Sequence, residues 1–475
     1  SGNVTRYAYD DRHFLTRHEL ADGLVFHFVY DSKQRCIETW GAPTSGPIPG
    51  LSPRLSGTLA DDVTPAKGIL HNRLIFADDG YREVIDGSRL RRAFANNRGQ
   101  LTSSIADGHV TEREFDDRGH LIRHVDALGA EHLVTRDAEG RVLATTNPLG
   151  WKTVYDRDID GRLLSASDDL GLIMRARYDN RGNLIEHYGA LGELTSFTND
   201  SRGLITSRVE PSGERTSYEY DAHGNCTRVR HADGRERHYT YDWLGNLLSH
   251  RSADGRETRY AWDDMGHCLR IFRADGSERH FSYGPMGDVT YFKDFDGTSY
   301  GMAYVLHRVY HVRFTVTLAR FYFYNRELQL IEEISEANEM KSYERTAQGL
   351  VSKVTFFDGR VWLYQYDGVN RLVAARDPSG ELTEFNRDLV GNIQAIEFGD
   401  GSTHEFEYDG RSQLLRAATP DTELRYDLNA AGMVLQEHQT SADGTETISY
   451  QYDVMRRGHP GHAPRVQRQH HRPLP

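Results

Sequence analysis

The sequence predicts an all-β chain, an antiparallel array of β-hairpins with a 21-residue repeat, and three observations carry that prediction. Glycine recurs at 119, 140, 161, 182, 203, 224, 245, 266 and 287, every step being 21 residues. A second series, Gly129, Gly150, Gly171, Gly192, Gly213, Gly234, Gly255, Gly276 and Gly297, keeps the same period ten residues behind the first. Between the turns lie segments of about seven or eight residues, strand length and too short for a stable helix. Strict self-similarity of this kind marks a repeat architecture. A two-sided β-solenoid with one coil per repeat fits the same spacing and is the alternative, although bulky Tyr and Trp suit its narrow interior poorly.

The first turn of each repeat reads aromatic, Asp, two variable residues, Gly. The Asp stands at 116, 137, 158, 179, 200, 221, 242 and 263, with Gly284 in the ninth place. Glycine serves where the chain turns through positive φ, and Asp ahead of it bonds its own downstream backbone. The second turn reads Leu-Gly at 128, 149, 170 and 191 and Asp-Gly at 233, 254, 275 and 296, a pair that favours two-residue hairpin loops. In the strand entering the first turn, aromatics alternate, as in Tyr218 and Tyr220, Tyr239 and Tyr241, Tyr260 and Trp262, Phe281 and Tyr283. One face is therefore aromatic and the other polar or small. Arg outnumbers Lys 51 to 6, and guanidinium planes are expected to lie on neighbouring rings.

The same phase sets the organisation of the chain. Residues 1–40 read as opening repeats. Residues 41–70 are a Pro- and Gly-rich linker, because Pro43, Pro47, Pro49 and Pro53 are incompatible with a central strand. Residues 71–300 form the main array. Residues 301–345 lose both glycine series, yet Asn325 and Thr346 keep the Asp phase, so eroded repeats are preferred to an inserted domain. One amphipathic helix over Leu328 to Lys341 is the alternative there. Residues 346–455 resume the repeats with Asp367, Asp388 and Asp409, and residues 456–475 read as a basic, His-bearing disordered tail.

Composition excludes several classes. With 57 Lys and Arg against 70 Asp and Glu, the net charge of -13 argues against a general nucleic-acid binder. No signal peptide is visible in Ser1 to Asp10, and the most apolar window, 301–324, is broken by charged and His residues, so no membrane span is expected. Cys36, Cys226 and Cys268 have no ligand-like spacing; Cys226 and Cys268 share one repeat position and read as small core residues. His223, His231, His238 and His250 fall at different repeat positions, so no ladder of ligands is built. HExxH, GxSxG, P-loop and GxGxxG patterns and calcium-loop signatures are missing. The conspicuous Asp residues are explained by turns. No catalytic, cofactor or metal residue is assigned, and the chain reads as noncatalytic. Asn225-Cys226-Thr227 fits a glycosylation sequon.

Tyr220-Asp221-Ala222-His223-Gly224-Asn225, Tyr241-Asp242-Trp243-Leu244-Gly245-Asn246 and Tyr178-Asp179-Asn180-Arg181-Gly182-Asn183 resemble the YD repeat of Rhs proteins, also found in teneurins and toxin-complex subunits. The resemblance covers roughly residues 1–455, and its specificity comes from iteration. It implies a ribbon of hairpins spiralling into a partial or complete hollow shell around a C-terminal polymorphic toxin, with that toxin domain, secretion machinery and an immunity protein as partners. It also implies a cytoplasmic stage before export to the cell surface or beyond. Asp377-Pro378-Ser379-Gly380-Glu381 resembles the DPxGL cleavage block of such proteins only superficially, since it lacks the Leu and occupies an ordinary second turn; no toxin domain is seen after the repeats. The leading expectation is a noncatalytic shell segment that sequesters a toxin. The second is a cell-surface adhesion or carbohydrate-binding protein using exposed Tyr and Trp, and the third a carboxylate-pair hydrolase.

Overall fold

The computed structural model describes residues 4–44, 46–52, 57–315, 317–452 and 467–471. Among them are 42 strands, from Arg6–Tyr9 to Gln467–His471, and no helix. Each strand pairs with the next in chain order within one sheet, and the pairs are antiparallel. Tyr239 faces His250 and Val229 faces Arg237 across successive pairs, the pattern of hairpins and not of stacked solenoid coils.

Each first turn is a three-residue loop closed by two backbone bonds. In the turn at 221, the Gly224 N–H donates to the Asp221 carbonyl at 3.2 Å, and the Asp221 N–H donates to the Asn225 carbonyl at 3.0 Å. Gly224 takes φ of +94°, and the register shifts beside Tyr220, so the turn is a type I turn followed by a glycine bulge. The second turns differ from the expected two-residue loops. At 231 the His231 N–H reaches the Arg235 carbonyl and the Gly234 N–H reaches the His231 carbonyl, the same three-residue loop. A two-residue type I′ turn needs positive φ at both central residues. Gly234 has it and Asp233 does not; Asp233 instead accepts the Arg235 N–H at 3.0 Å. Asp107 and Gly108 do form a two-residue left-handed pair.

The chain divides into two compact units. The first comprises Ser1–Arg113 and Thr258–Gly380, the second Glu114–Glu257 and Glu381–Pro475. In the first unit the Pro-rich segment is not a free linker. Gly41 to Pro43 close the strand Cys36–Pro43, and Pro43 lies beyond Gly41, the last residue paired with the following strand. Leu51 bridges Tyr324 in parallel, and the Ser52 N–H donates to the Tyr324 carbonyl at 2.9 Å. Leu24, Ile69 and Leu328 are buried together, with Ile48 and Leu51 packed against them. The apolar residues among the prolines supply the reason, since this is where the unit has core to fill. Pro53 lies outside the described residues.

Residues 301–345 continue as hairpins. Leu330–Ile334 and Met340–Arg345 are strands where a helix was the alternative, and Asn325 takes the turn role of Asp by accepting the N–H groups of Glu327 and Gln329. Of the basic tail, Gln467–His471 is a strand on Gly444–Ser449, not disordered, since the edge of that strand offers unpaired backbone groups; residues 456–466 and 472–475 lie outside the described residues.

The sheet is one layer thick. Its accessible surface is 28127 Å², whereas a compact monomer of this mass exposes about 18,000 Å². Ladder bonds, turns and cross-strand pairs therefore carry most of the order. Substituting Gly245, at φ +88°, by Val should cost about 1 kcal/mol or more, because a β-branched residue resists that region. Hydrogen exchange of the strands Glu236–Tyr241 and Leu247–Arg251 reads the loss, and unchanged protection there counts against this turn geometry.

Candidate functional site

The repeated polar unit is built around one carboxylate. Asp242 Oδ1 accepts the N–H groups of Leu244 at 2.9 Å and Asn246 at 2.8 Å, while Oδ2 accepts Asn246 Nδ2 at 2.9 Å. The residue four after the Asp is a side-chain donor in turn after turn: Asn183, Asn225 and Asn392, Arg141, Arg162 and Arg371, His120 and His267. Such bonds hold the carboxyls of Asp116, Asp179, Asp221, Asp242 and Asp263 low. Asp116 is brought down to about 2, first by the His120 N–H.

The Tyr of the unit does something the alternation of aromatics does not disclose. Tyr241 donates its hydroxyl to the Cys226 carbonyl at 3.0 Å, fifteen residues back and one strand away. Tyr178, Tyr220, Tyr283 and Tyr366 reach Leu163, Ile205, Cys268 and Val351 in the same way. The carbonyl lies beyond the ladder joining the two strands, which spans Arg228 to Arg230 against Glu236 to His238, so the hydroxyl satisfies a group that ladder leaves open. Where Tyr is absent, Arg136, Arg157, Arg345 and Asn199 donate to the equivalent carbonyl. The substitution of one donor by another was the readable signal.

Among the described residues, more arginines make ion pairs than lie on rings. Arg228 bridges Glu219 at 3.0 Å and Glu236 at 2.7 Å, whereas Arg175 over Tyr188 at 4.3 Å and Arg273 over Phe295 at 3.6 Å take the stacked arrangement.

Each unit also joins chain segments far apart in sequence, turn tip against turn tip. In the second unit Arg411 holds Asp168 bidentately, Nε to Oδ2 at 2.6 Å and Nη2 to Oδ1 at 2.5 Å, across 243 residues. The Asp168 side chain is 1% exposed and also accepts Trp151 Nε1 at 3.2 Å. Burial would raise its pKa, but the Arg411 bonds outweigh it and hold the carboxyl below its ordinary value. Gly410 is set between these tips: Asn147 Nδ2 donates to its carbonyl at 3.4 Å, and a Cβ there would overlap the Trp151 ring. A groove of about 400 Å³ opens beside the pair, lined by His132, Thr145, Thr153 and Ile173 among others. In the first unit the Gly87 N–H donates to Glu327 Oε1 at 2.9 Å, the Leu70 N–H to the Arg326 carbonyl at 2.9 Å, and Gln348 Nε2 to Asp107 Oδ2 at 2.6 Å. The separations, 240 residues at Gly87 and 241 at Asp107, match that of the second unit, roughly twelve repeats.

The arrangement that looks most like acid–base machinery is structural. His71 is fully buried, with Nε2 at 2.9 Å from Glu38 Oε1 and Nδ1 accepting the Lys67 N–H at 3.2 Å. That acceptor role puts the ring proton on Nε2, and neither nitrogen is left for a substrate. Cys36, Cys226 and Cys268 sit half-buried, each Sγ directed at the carbonyl two residues on, and burial pushes all three thiols up, away from nucleophilic reactivity. His250 stacks on Tyr239, His238 lies 3.4 Å from Glu236, and His223 and His231 sit in separate turns. Asn225 spends its amide on Asp221. Asp377 forms an ordinary turn with Gly380. Among the described residues, no group of three or more His, Cys, Asp or Glu is placed to hold a metal ion, and no helix is long and apolar enough to cross a membrane.

The iterated carboxylate turn, the glycine bulge and the hydroxyl strut define a hairpin-repeat protein. The RHS Repeat family model matches the chain at residues 136–173, 200–236, 220–245, 241–278 and 345–382, so these stretches are similar to RHS, or YD, repeats. Among solved structures, the crystal structure of TcdB2-TccC3 is similar at 14% identity and a TM-score of 0.63, over 95% of this chain and 32% of that one. The crystal structure of TcdB2-TccC3 without its hypervariable C-terminal region gives 14% identity and a TM-score of 0.51, over 98% and 30%. These likenesses are of fold, and the chain spans about a third of the length of either structure. No curated protein matches the sequence.

Two outcomes test this site. Arg411→Gln leaves Asp168 buried without its cation and should cost about 3–5 kcal/mol locally, read as lost exchange protection at Trp151 to Asp168 and at Gly410 to Gln413. An Asp168→Asn, Arg411→Gln double variant should recover part of that. Asp116, Asp221, Asp242 and Asp263 have folded pKa values below the ordinary value of about 3.9, Asp116 at about 2, so their stabilisation is complete above the ordinary value and is lost as pH falls through the folded one. The melting temperature should be level above about pH 5 and fall steeply between about pH 4 and pH 2.

Proposed function

We propose that this chain is a noncatalytic wall segment of an RHS shell, which in the intact protein encloses a C-terminal toxin during delivery. The observation that carries the reading is the self-contact of the ribbon: in each unit, turn tips meet tips roughly twelve repeats away, as successive turns of a coiled wall would. Likeness in fold to TcdB2-TccC3 supports it. Containment would be steric, with many weak contacts and no single site. Export machinery, an immunity protein and a final location outside the producing cell belong to the same proposal. A carbohydrate-binding reading is less well supported, because Tyr178, Tyr220, Tyr241, Tyr283 and Tyr366 commit their hydroxyls to backbone carbonyls.

In the intact natural protein, a domain following the repeats should resist proteinase K until the wall opens, and Arg411→Glu should make it cleavable under conditions where the isolated repeats stay folded. Equal cleavage of that domain with and without the wall overturns the reading. Small-angle scattering of the purified chain should show the displaced distance maximum of a hollow body.

A further inference from the structure

One face of the ribbon in the first unit carries cations whose acidic partners have been removed. Arg123, Arg228, Lys353 and Arg416 occupy equivalent positions in their repeats, and each pairs with a Glu on the preceding strand: Glu114 at 2.9 Å, Glu219 at 3.0 Å, Glu344 at 2.7 Å and Glu407 at 3.2 Å. Arg270 occupies the same position, but the residue opposite it is Ala261. On its other side Arg270 faces His280 directly, and His280 faces Lys293. Arg259 and Arg313 lie on the same face in adjoining rows, Arg259 opposite Phe272 and Arg313 opposite Gly301. Arg259, Arg270, Lys293 and Arg313 are exposed and have no acidic partner among the described residues. Two acids share that face: Glu278 is engaged by His280 at 3.1 Å, and Glu257, two residues before Arg259 on the same strand, makes no ion pair with it.

In a chain whose acids outnumber its bases 70 to 57, partners were available, and neighbouring repeats use them. Ala261, Ser282, Ser299 and Gly301 lie among the cations and leave their heads clear. The opposite face of these strands holds Phe281, Phe292 and Tyr300, packed in file at 5.4 and 6.0 Å. The segment thus carries a packed file of rings on one side and its unpaired cations on the other, with Phe272 and Tyr291 among the cations.

We infer that the basic face of the strands from Thr258 to Arg313 is a docking surface for an acidic polypeptide segment. The choice of occupant rests on the margins of the strip. Exposed Asp275 and Asp296 at the second turns and Asp264 at a first turn border it, and the strands between them are five to seven residues long. A nucleic-acid backbone would have to run its phosphates over those carboxylates, whereas the carboxylates of a short peptide fall within the strip. The surface stands whether or not the ribbon encloses a cargo.

Fluorescence anisotropy with a labelled decaglutamate peptide tests this on the whole chain, with decathymidylate as the second probe. Decaglutamate should bind and weaken as salt rises. Ala261→Glu, which rebuilds the pair seen at Glu219 and Arg228, should reduce binding about tenfold or more, as should Arg270→Gln with Lys293→Gln. Ala261→Glu follows a pattern other repeats tolerate, and an unchanged melting curve separates lost binding from lost folding. Absence of decaglutamate binding, equal binding by all variants, or tighter binding of decathymidylate overturns the inference.

Discussion

The structure depends on a carboxylate that closes its own turn. Asp242 and its equivalents gather two backbone N–H groups and one side-chain donor around one side chain, and the glycine three residues on supplies the left-handed step. A hairpin loop closed this way needs little help from elsewhere, so strands can be added without thickening the layer. The ladder to the next hairpin stops short of the first carbonyl of each returning strand, and the Tyr hydroxyl from that hairpin takes it. Turn and strut thus divide the work: the first closes a hairpin, and the second fixes one hairpin against the next.

A single layer also limits how far such local order reaches. Each strand touches only its neighbours, and stability in such arrays is close to a sum of local terms. The turn-tip contacts are the exception. Asp168 and Arg411, or Gly87 and Glu327, join segments that the ladder connects only through a long run of hairpins. They are specific in charge and shape, as at Gly410, where only the absence of a side chain lets the Trp151 ring approach. Coupling between distant repeats therefore rests on a handful of residues, while continuity along the ribbon is distributed over all of them.

This division explains what could be read in the sequence. Turns are local, so glycine and Asp announce them through their own conformational needs, and Asn325 is recognisable by phase after the glycines have gone. The loop length at His231 was misjudged because Asp-Gly suits two turn types, and only the φ of Asp233 separates them. The Tyr strut is semi-local; its trace was the exchange of Tyr for Arg at 136, 157 and 345, donors of similar reach. Tip contacts leave no such trace. Nothing in Gly41 to Pro53 points to Tyr324, and nothing at Arg411 points to Asp168, because each partner lies roughly twelve or thirteen repeats away in a sequence whose own period is one repeat.

The two faces of the sheet divide the remaining freedom. Neither the turn carboxylate nor the strut constrains the residues that point away from the rings, so charge on that face can vary from repeat to repeat without touching the fold. At Arg228 it is neutralised in place by Glu219 and Glu236; at Arg270 the equivalent acid has become Ala261. A backbone that solves its own closure locally leaves its broadest surface open to change, and that surface is where one stretch of the hairpin ribbon can differ chemically from the next.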